Sequence, residues 1–276
     1  MQSTKDYCIT FACYNQIEFT QKFIASLDRS EVDFSRIVAV DNGSSDGTRE
    51  WLQTLGLGAV ILNRQNLGCG AAWNQGAMAL QTKWTVVMNN DVICAKGWLN
   101  ALLQAAIDQK LQIASPAMVE GELDYDFDEF VRAAHEKMNG YCRAGMAHAV
   151  CMAIHRDVWP AIGYFLPVTQ LLGYEDALFF RQAQLQKIRM GITANAWLHH
   201  FGMTTQKAMK LEAKLSQSDS LGNRNLMKFF MNQSWLERKI SQHQKKSALR
   251  TSKGNEIAQF GTTVHALKNG PSFQWI

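Results

Sequence analysis

Four times before residue 92 a short apolar run ends abruptly in polar side chains. Tyr7 to Cys13 gives way to Tyr14-Asn15, and Arg36 to Val40 to Asp41-Asn42-Gly43-Ser44-Ser45-Asp46-Gly47-Thr48. Val60 to Leu62 runs into Asn63-Arg64-Gln65-Asn66, and Trp84 to Met88 into Asn89-Asn90-Asp91. Helical patterns fill the intervals. About Ile17 to Leu27 places Phe19, Phe23, Ile24 and Leu27 on one face, and a second helix runs through Trp51 and Leu52. Others follow at Ala71 to Leu80 and Ala95 to Asp108, before a fifth apolar run at Gln112 to Ala117. This spacing predicts βαβ units, hence an α/β fold with a mostly parallel sheet flanked by helices. The polar exits near 14, 41, 63 and 91 then share one edge, where open α/β sheets bind their ligands.

After residue 118 the rhythm breaks. Residues 120–129 hold six acids, Glu120, Glu122, Asp124, Asp126, Asp128 and Glu129, and read as a loop or short helix. Ala147 to Ile154 and Ile192 to Leu198 read as strands, and Glu175 to Lys187 as a helix. The remainder is polar and helical, closing on a strand at Thr262 to Leu267.

An apolar content of 47% and a charged content of 19% over 276 residues describe a globular chain with a sizeable core. No window of 18 apolar residues marks a membrane span, and the N-terminus lacks the layout of a signal peptide, so a cytoplasmic protein is expected. Six cysteines without a CxxC pair then read as reduced thiols. From Arg238 onward seven basic residues face one acid, 7 − 1 = +6, which leaves 4 − 6 = −2 for everything before. A total of +4 is too small to imply nucleic-acid binding.

Individual clusters leave alternatives open. Asp91 is either the cap of the following helix or a hard oxygen donor for Mg²⁺ or Mn²⁺. Asp41 either holds an Asx-turn or accepts hydrogen bonds from a base or ribose. Glu175-Asp176 opens a helix, where carboxylates suit the dipole, and either one could serve as a general base at a cleft wall. His199-His200 follows a strand and offers a nitrogen ligand. Two other nucleotide-binding readings, a dinucleotide fold and a P-loop, fail. Gly68-Cys69-Gly70-Ala71-Ala72-Trp73 puts a tryptophan where a nicotinamide or flavin fold needs a small residue, and the chain lacks GxxxxGK[ST].

Taken in order, these clusters resemble glycosyltransferase family 2. Phe11-Ala12-Cys13-Tyr14-Asn15 resembles its first-strand signature, and Val40-Asp41-Asn42-Gly43-Ser44-Ser45-Asp46-Gly47-Thr48 its DNxSxDGT motif. Asn63-Arg64-Gln65-Asn66-Leu67-Gly68 with Asn74-Gln75-Gly76 resembles N-x-x-N-x-G…N-x-G. Asn89-Asn90-Asp91 stands at the DxD position, Glu175-Asp176 at ED, and His200 to Thr205 at the later HxGGxS-like element. Cys151 to Arg156, with Ile162-Gly163-Tyr164-Phe165, is similar to the segment before ED. Asn89 replaces the first acid of DxD, Met203 the second glycine of HxGGxS, and Leu166 the usual acid after Gly-x-Phe.

The resemblance implies a GT-A (nucleotide-diphospho-sugar transferase) domain over 1–205 and a basic, mainly helical extension over 206–276. It implies an inverting enzyme that moves a sugar from a nucleotide-diphosphate donor to a hydroxyl of a glycan or glycolipid, in surface polysaccharide assembly. Tyr14, Asn15, Asp41, Arg64, Asn89 and Asn90 would bind the nucleotide sugar, with Arg64 near base or phosphate. Asp91 and His200 would hold Mn²⁺ or Mg²⁺, with His199 as the alternative nitrogen. Asp176 would be the catalytic base, and Glu175 would orient donor or acceptor. A non-catalytic nucleotide-sugar-binding scaffold is the rival reading, and a glycosyltransferase acting on nucleic acid a more distant one. Leu226, Phe229, Phe230, Leu236 and Ile240 recur at helical spacing with basic residues after them. This stripe is expected to pack on its own domain, the alternative being peripheral contact with the inner face of the membrane, which would suit a lipid-linked acceptor.

Overall fold

The structure, a computed structural model, describes residues 4–167, 175–202 and 229–276. Its centre is strand β1 (Tyr7–Cys13), paired in parallel with β2 (Ile37–Asp41) on one side and β4 (Trp84–Asn89) on the other. β3 (Ala59–Leu62) extends the parallel set beyond β2. Every residue of β2 is buried, as a strand covered on both faces requires. Register decides what meets at the edge. Cys13 lies opposite Asp41 and Ala12 opposite Asn89, so the polar exits form one row.

Helices α1 (Ile17–Arg29), α2 (Thr48–Leu52) and α3 (Cys69–Ala79) make the crossovers. α1 buries Phe23, Ile24 and Leu27, and Phe23 meets Phe11 of β1 edge to face at 5.0 Å. α3 reaches β1 through Gly76, where any Cβ would overlap the hydroxyl of Thr10. That close approach brings the first turn of α3 over the strand exits.

Beyond Asp91 the chain does not enter a helix. It forms a short strand, β5 (Val92–Cys94), with Val92 and Cys94 buried, and α4 (Trp98–Asp108) starts only after Gly97 at φ 71°. The capping alternative for Asp91 therefore fails, because Asp91 sits between two strands. β6 (Ile113–Gly121) carries Glu120 at its end, and the rest of the acidic stretch leads into an amphipathic helix, α5 (Phe127–Met138). Asp126 caps that helix by accepting the Glu129 N–H at 2.9 Å.

β7 (Cys142–Ala144) and β8 (Cys151–His155) follow, so residues 147–150, expected in a strand, are loop. β8 inserts antiparallel between β4 and β6, which turns the parallel sheet into a mixed one. After α6 (Val158–Ile162) and α7 (Glu175–Leu185) comes the long β9 (Met190–His200). It runs parallel to β6, with a register shift between Pro116 and Ala117, and antiparallel to β5 and β7. Trp84, Trp98 and Trp197 are the largest fully buried side chains of the core.

The C-terminal residues return to this sheet. Helix α8 (Trp235–Phe260) opens with a capping box of Ser234 and Glu237. β10 (His265–Asn269) then pairs in parallel with β6, and β11 (Ser272–Trp275) completes a hairpin at the sheet edge. The carboxylate of Glu256, fully buried, accepts two hydrogen bonds from Arg143 of β7 at 2.7 Å each. Tyr141 Oη at 2.9 Å and the Val264 N–H at 3.0 Å complete its shell. The apolar stripe behaves otherwise than expected. Leu226 lies outside the described residues, while Phe229, Phe230, Leu236 and Ile240 are exposed. No described helix is long and apolar enough to cross a membrane.

Removing one partner of a buried, bidentate ion pair leaves the other charge uncompensated. Glu256→Ala is expected to lower unfolding stability by about 3–5 kcal/mol, measured by urea denaturation. A loss below roughly 1 kcal/mol would show that the last helix is only loosely held to the sheet.

Candidate active site

A cavity of about 450 Å³ opens at the carboxyl edge of the parallel strands. Tyr14 and Cys13 come from the exit of β1, Asn42 from β2, and Asn89, Asn90 and Asp91 from the β4–β5 junction. The first turn of α7 contributes Glu175 and Asp176, and the end of β9 contributes His200. Seven of the ten residues singled out from the sequence line this one space: Tyr14, Asn89, Asn90, Asp91, Glu175, Asp176 and His200.

The other three sit beside it. Asp41 is fully buried under the turn, accepting the N–H groups of Gly43 at 3.0 Å and Ser44 at 3.1 Å, with Arg49 Nε at 3.4 Å. Asn15, at φ 52°, donates its N–H to Ser44 Oγ and accepts from Ser45 N–H, both at 2.8 Å. Together they shape the 42–45 loop, whose Asn42 reaches the cavity wall. Arg64 is exposed, outside the cavity lining.

Strand alternation separates the two histidines. His199 is buried among aromatic rings, with Nδ1 2.9 Å from Tyr125 Oη and Nε2 3.1 Å from Gly121 O. Burial pushes its pKa down to about 4. His200 faces the cavity with Nε2 3.3 Å from Asp91 Oδ1. Burial opposes its charge, but Asp91 and Glu120 outweigh that and raise its pKa. Among the described residues neither ring nitrogen of His200 makes a hydrogen bond, although both are buried. A buried imidazole with Nε2 beside a carboxylate and Nδ1 left over suits a divalent ion with mixed nitrogen and oxygen ligands. No group of three or more His, Cys, Asp or Glu that could hold a metal occurs among the described residues. Asp91 and His200 thus fit an ion whose remaining positions are filled by oxygens from elsewhere, as Mg²⁺ commonly is.

Glu175 and Asp176 have raised pKa values, in both cases chiefly through burial. The charge of Asp176 adds to the shift at Glu175, whereas Lys245 of α8 opposes it at Asp176. Glu175 reaches its place because α3 has a glycine there. A Cβ on Gly70 would lie 3.1 Å from Glu175 Cγ and 3.1 Å from the Leu166 carbonyl oxygen.

Three further residues belong to the site's surroundings: His148 and His265 sit in no sequence motif, and Glu120 is marked only by its place in the acidic stretch 120–129. His148 lines the cavity from the loop before β8. Its N–H donates to Ser115 Oγ, which in turn donates to the His148 carbonyl, both at 3.1 Å. Nε2 lies 2.7 Å from Pro116 O, so that nitrogen carries the proton. Burial pushes the His148 pKa down to about 3, leaving Nδ1 a lone-pair acceptor with no hydrogen-bond partner among the described residues. Glu120 pairs in register with His200 and lies 3.6 Å from His265 Nε2. His265 first, and then His200, hold its carboxyl below the usual range.

The strand order and the row of polar exits, with the buried Glu175–Asp176 pair lining the same cavity, are those of a GT-A α/β fold. The chain matches glycosyl transferase family 2 over residues 8–160 and belongs to that family. Among solved structures it is similar to GalNAc-T7, crystallised with UDP, GalNAc and Mn²⁺, at a TM-score of 0.56 and 15% identity, over 71% of this chain and 43% of that one. It is also similar to S. aureus TarS 1-349 in complex with UDP-GlcNAc, at a TM-score of 0.55 and 14% identity, over 70% of this chain and 58% of that one. The chain therefore spans about half the length of these neighbours, and at such identities the likeness concerns the fold. No curated protein matches it.

Gly70→Ala tests the seat of Glu175 separately from stability. Alanine favours the helix by about 1 kcal/mol, while its methyl group crowds the carboxylate arm. Turnover is expected to fall about tenfold or more with the melting temperature almost unchanged. Unchanged turnover would mean that Glu175 needs no such close seating.

Proposed function

We propose that this glycosyltransferase transfers a sugar, with inversion, from a nucleotide-diphosphate donor to a hydroxyl of a glycan or lipid-linked glycan. We place it in surface polysaccharide assembly at the cytoplasmic face of the membrane. The observation that carries the reading is that the buried Glu175–Asp176 pair and the Asp91–His200 pair line one cavity. That arrangement supports a site where a base and an anion-stabilising group act on the same substrate.

In this reading Tyr14, Asn89 and Asn90 contact the donor's nucleoside and ribose. Asp41 and Asn15 keep the 42–45 loop in shape beneath the nucleotide, and Arg64 approaches it from the rim. Asp91 and His200 would hold Mn²⁺ or Mg²⁺, which when bound supplies Lewis-acid charge against the leaving diphosphate. Asp176 accepts the proton of the acceptor hydroxyl as its oxygen bonds to the anomeric carbon. The bond from that carbon to the phosphate oxygen breaks, and the nucleoside diphosphate departs with the electron pair. Glu175 orients the sugar. One base suffices for a single inverting displacement, whereas a double displacement would need a carboxylate nucleophile as well. The raised pKa of Asp176 makes it a stronger base than a solvated carboxylate.

The donor is identified by a thermal-shift panel of nucleoside diphosphates and nucleotide sugars with and without Mn²⁺. At roughly a hundred times Kd one nucleotide is expected to stabilise the fold by about 2.7 kcal/mol, and to lose that effect in Asp91→Ala. Absence of any nucleotide-dependent shift would overturn the donor site. Asp176→Asn should keep the donor-induced shift and lose roughly a thousandfold in turnover. Full turnover would remove Asp176 from its role, and wild-type donor binding without turnover on any acceptor would favour a scaffold. A base works ionised, so kcat/KM should rise with pH through an apparent pKa above the ordinary 3.8 of an aspartate.

A further inference from the structure

The last helix exposes what the rest of the molecule hides. Along α8 only Glu256 is buried. The twenty or so residues before it, about 30 Å of helix, therefore run largely through solvent. A purely solvated arm would be polar all round. This one is preceded and begun by Phe229, Phe230, Trp235, Leu236 and Ile240, which are 77, 42, 66, 60 and 48% exposed. Large apolar side chains gathered on a surface in this way mark an interaction site.

Glu256 shows which face of the helix turns to the protein. At about 100° per residue, Lys245 lies about 20° from Glu256, and Leu236 and Ile240 each about 160° away on either side. Lys245 is the α8 residue whose charge acts on Asp176, and Arg181 of α7 acts on Glu237. The helix therefore passes near the cavity wall with Leu236 and Ile240 facing outward.

Charge chooses the occupant. Arg238, Lys239, Lys245, Lys246, Arg250 and Lys253 stand against Glu237 and a Glu256 already neutralised by Arg143. Lys239, Lys246 and Arg250 recur seven and four residues apart and form one stripe beside Leu236 and Ile240. Lys239 Nζ lies 5.8 Å from the centre of the Trp235 ring. A second copy presenting the same face would bring like charges together. An anionic bilayer accommodates both parts, the apolar groups at the headgroup–acyl boundary and the cations on lipid phosphates. Tryptophan suits that boundary, apolar on its ring and polar at its N–H.

We infer that the outer face of α8, with Phe229 and Phe230 before it, docks the enzyme on an anionic phospholipid surface and holds the cavity there. This deepens the proposed action on a lipid-linked acceptor, and its test uses no substrate, so the two can fail separately.

The test is cosedimentation of the full chain with vesicles of phosphatidylglycerol and phosphatidylcholine, and with phosphatidylcholine alone. Wild type should sediment with the anionic vesicles, less so as salt is added, and hardly with the neutral ones. Trp235→Ser/Leu236→Ser/Ile240→Ser should release the protein into the supernatant. Lys239→Glu/Lys246→Glu/Arg250→Glu should weaken partitioning by roughly a hundredfold. Both variants should keep the wild-type melting temperature, since every substituted side chain is exposed. Equal sedimentation of wild type and variants, equal binding to neutral vesicles, or no binding at low salt would overturn the inference. So would light scattering that shows a dimer in wild type and a monomer in the serine variant.

Discussion

Parallel pairing of β1 with β2 on one flank and β4 on the other is the constraint on which the rest depends. These strands are covered on both faces, so their peptide groups can be satisfied only by each other. With Ala12 beside Asn89 and Cys13 beside Asp41, three chain segments far apart in sequence deliver their polar ends to one row. A slip of one residue would turn every side chain to the opposite face and scatter that row. The contact of Gly76 with Thr10 serves the same end, because it sets how far the first turn of α3 reaches across the edge.

At the end of β9 strand parity does comparable work. β9 is long enough to pair with β5, β6 and β7, and its last two residues divide between two environments. His199 enters an aromatic cluster where burial keeps it neutral, and His200 meets Asp91. Glu120, in register with His200, is joined by His265 from the returning C-terminal strand. Buried polar atoms without partners are costly, and in His148 and His200 they lie in the cavity wall. Such local violations of packing rules are expected where a ligand completes the structure.

The C-terminal segment combines anchoring with exposure. Arg143 and Glu256 clamp one end of α8 to β7, and β10 adds to the sheet built by the N-terminal residues. The opposite end of the helix carries its apolar and basic residues into solvent. One helix thereby connects the buried sheet to an outer surface, and the charge of Lys245 along its length acts on Asp176.

Much of this was legible in the residues themselves. Apolar runs ending in polar clusters gave the strand exits, and Glu175-Asp176 and Asn89-Asn90-Asp91 announced the two walls before any contact was known. Local chemistry misled where neighbours in space overruled neighbours in sequence. Asp91 offered both a helix cap and an oxygen donor, and because Val92 and Cys94 found β9 and became a strand, no helix follows for it to cap. Asp41 offered both a turn and a ligand, and its oxygens hold the turn. His148 had no motif around it, and Glu120 only an acidic stretch. Their positions arise from pairings such as Ser115 with His148 and Glu120 with His200, which no short-range pattern encodes. The sequence by itself determined the alternation of the first four strands with their helices, and the family, because period and residue chemistry are properties of adjacent positions. Tertiary structure alone decided which histidine faces the site, which carboxylates surround it and where α8 points, because register, parity and burial exist only once distant segments have met.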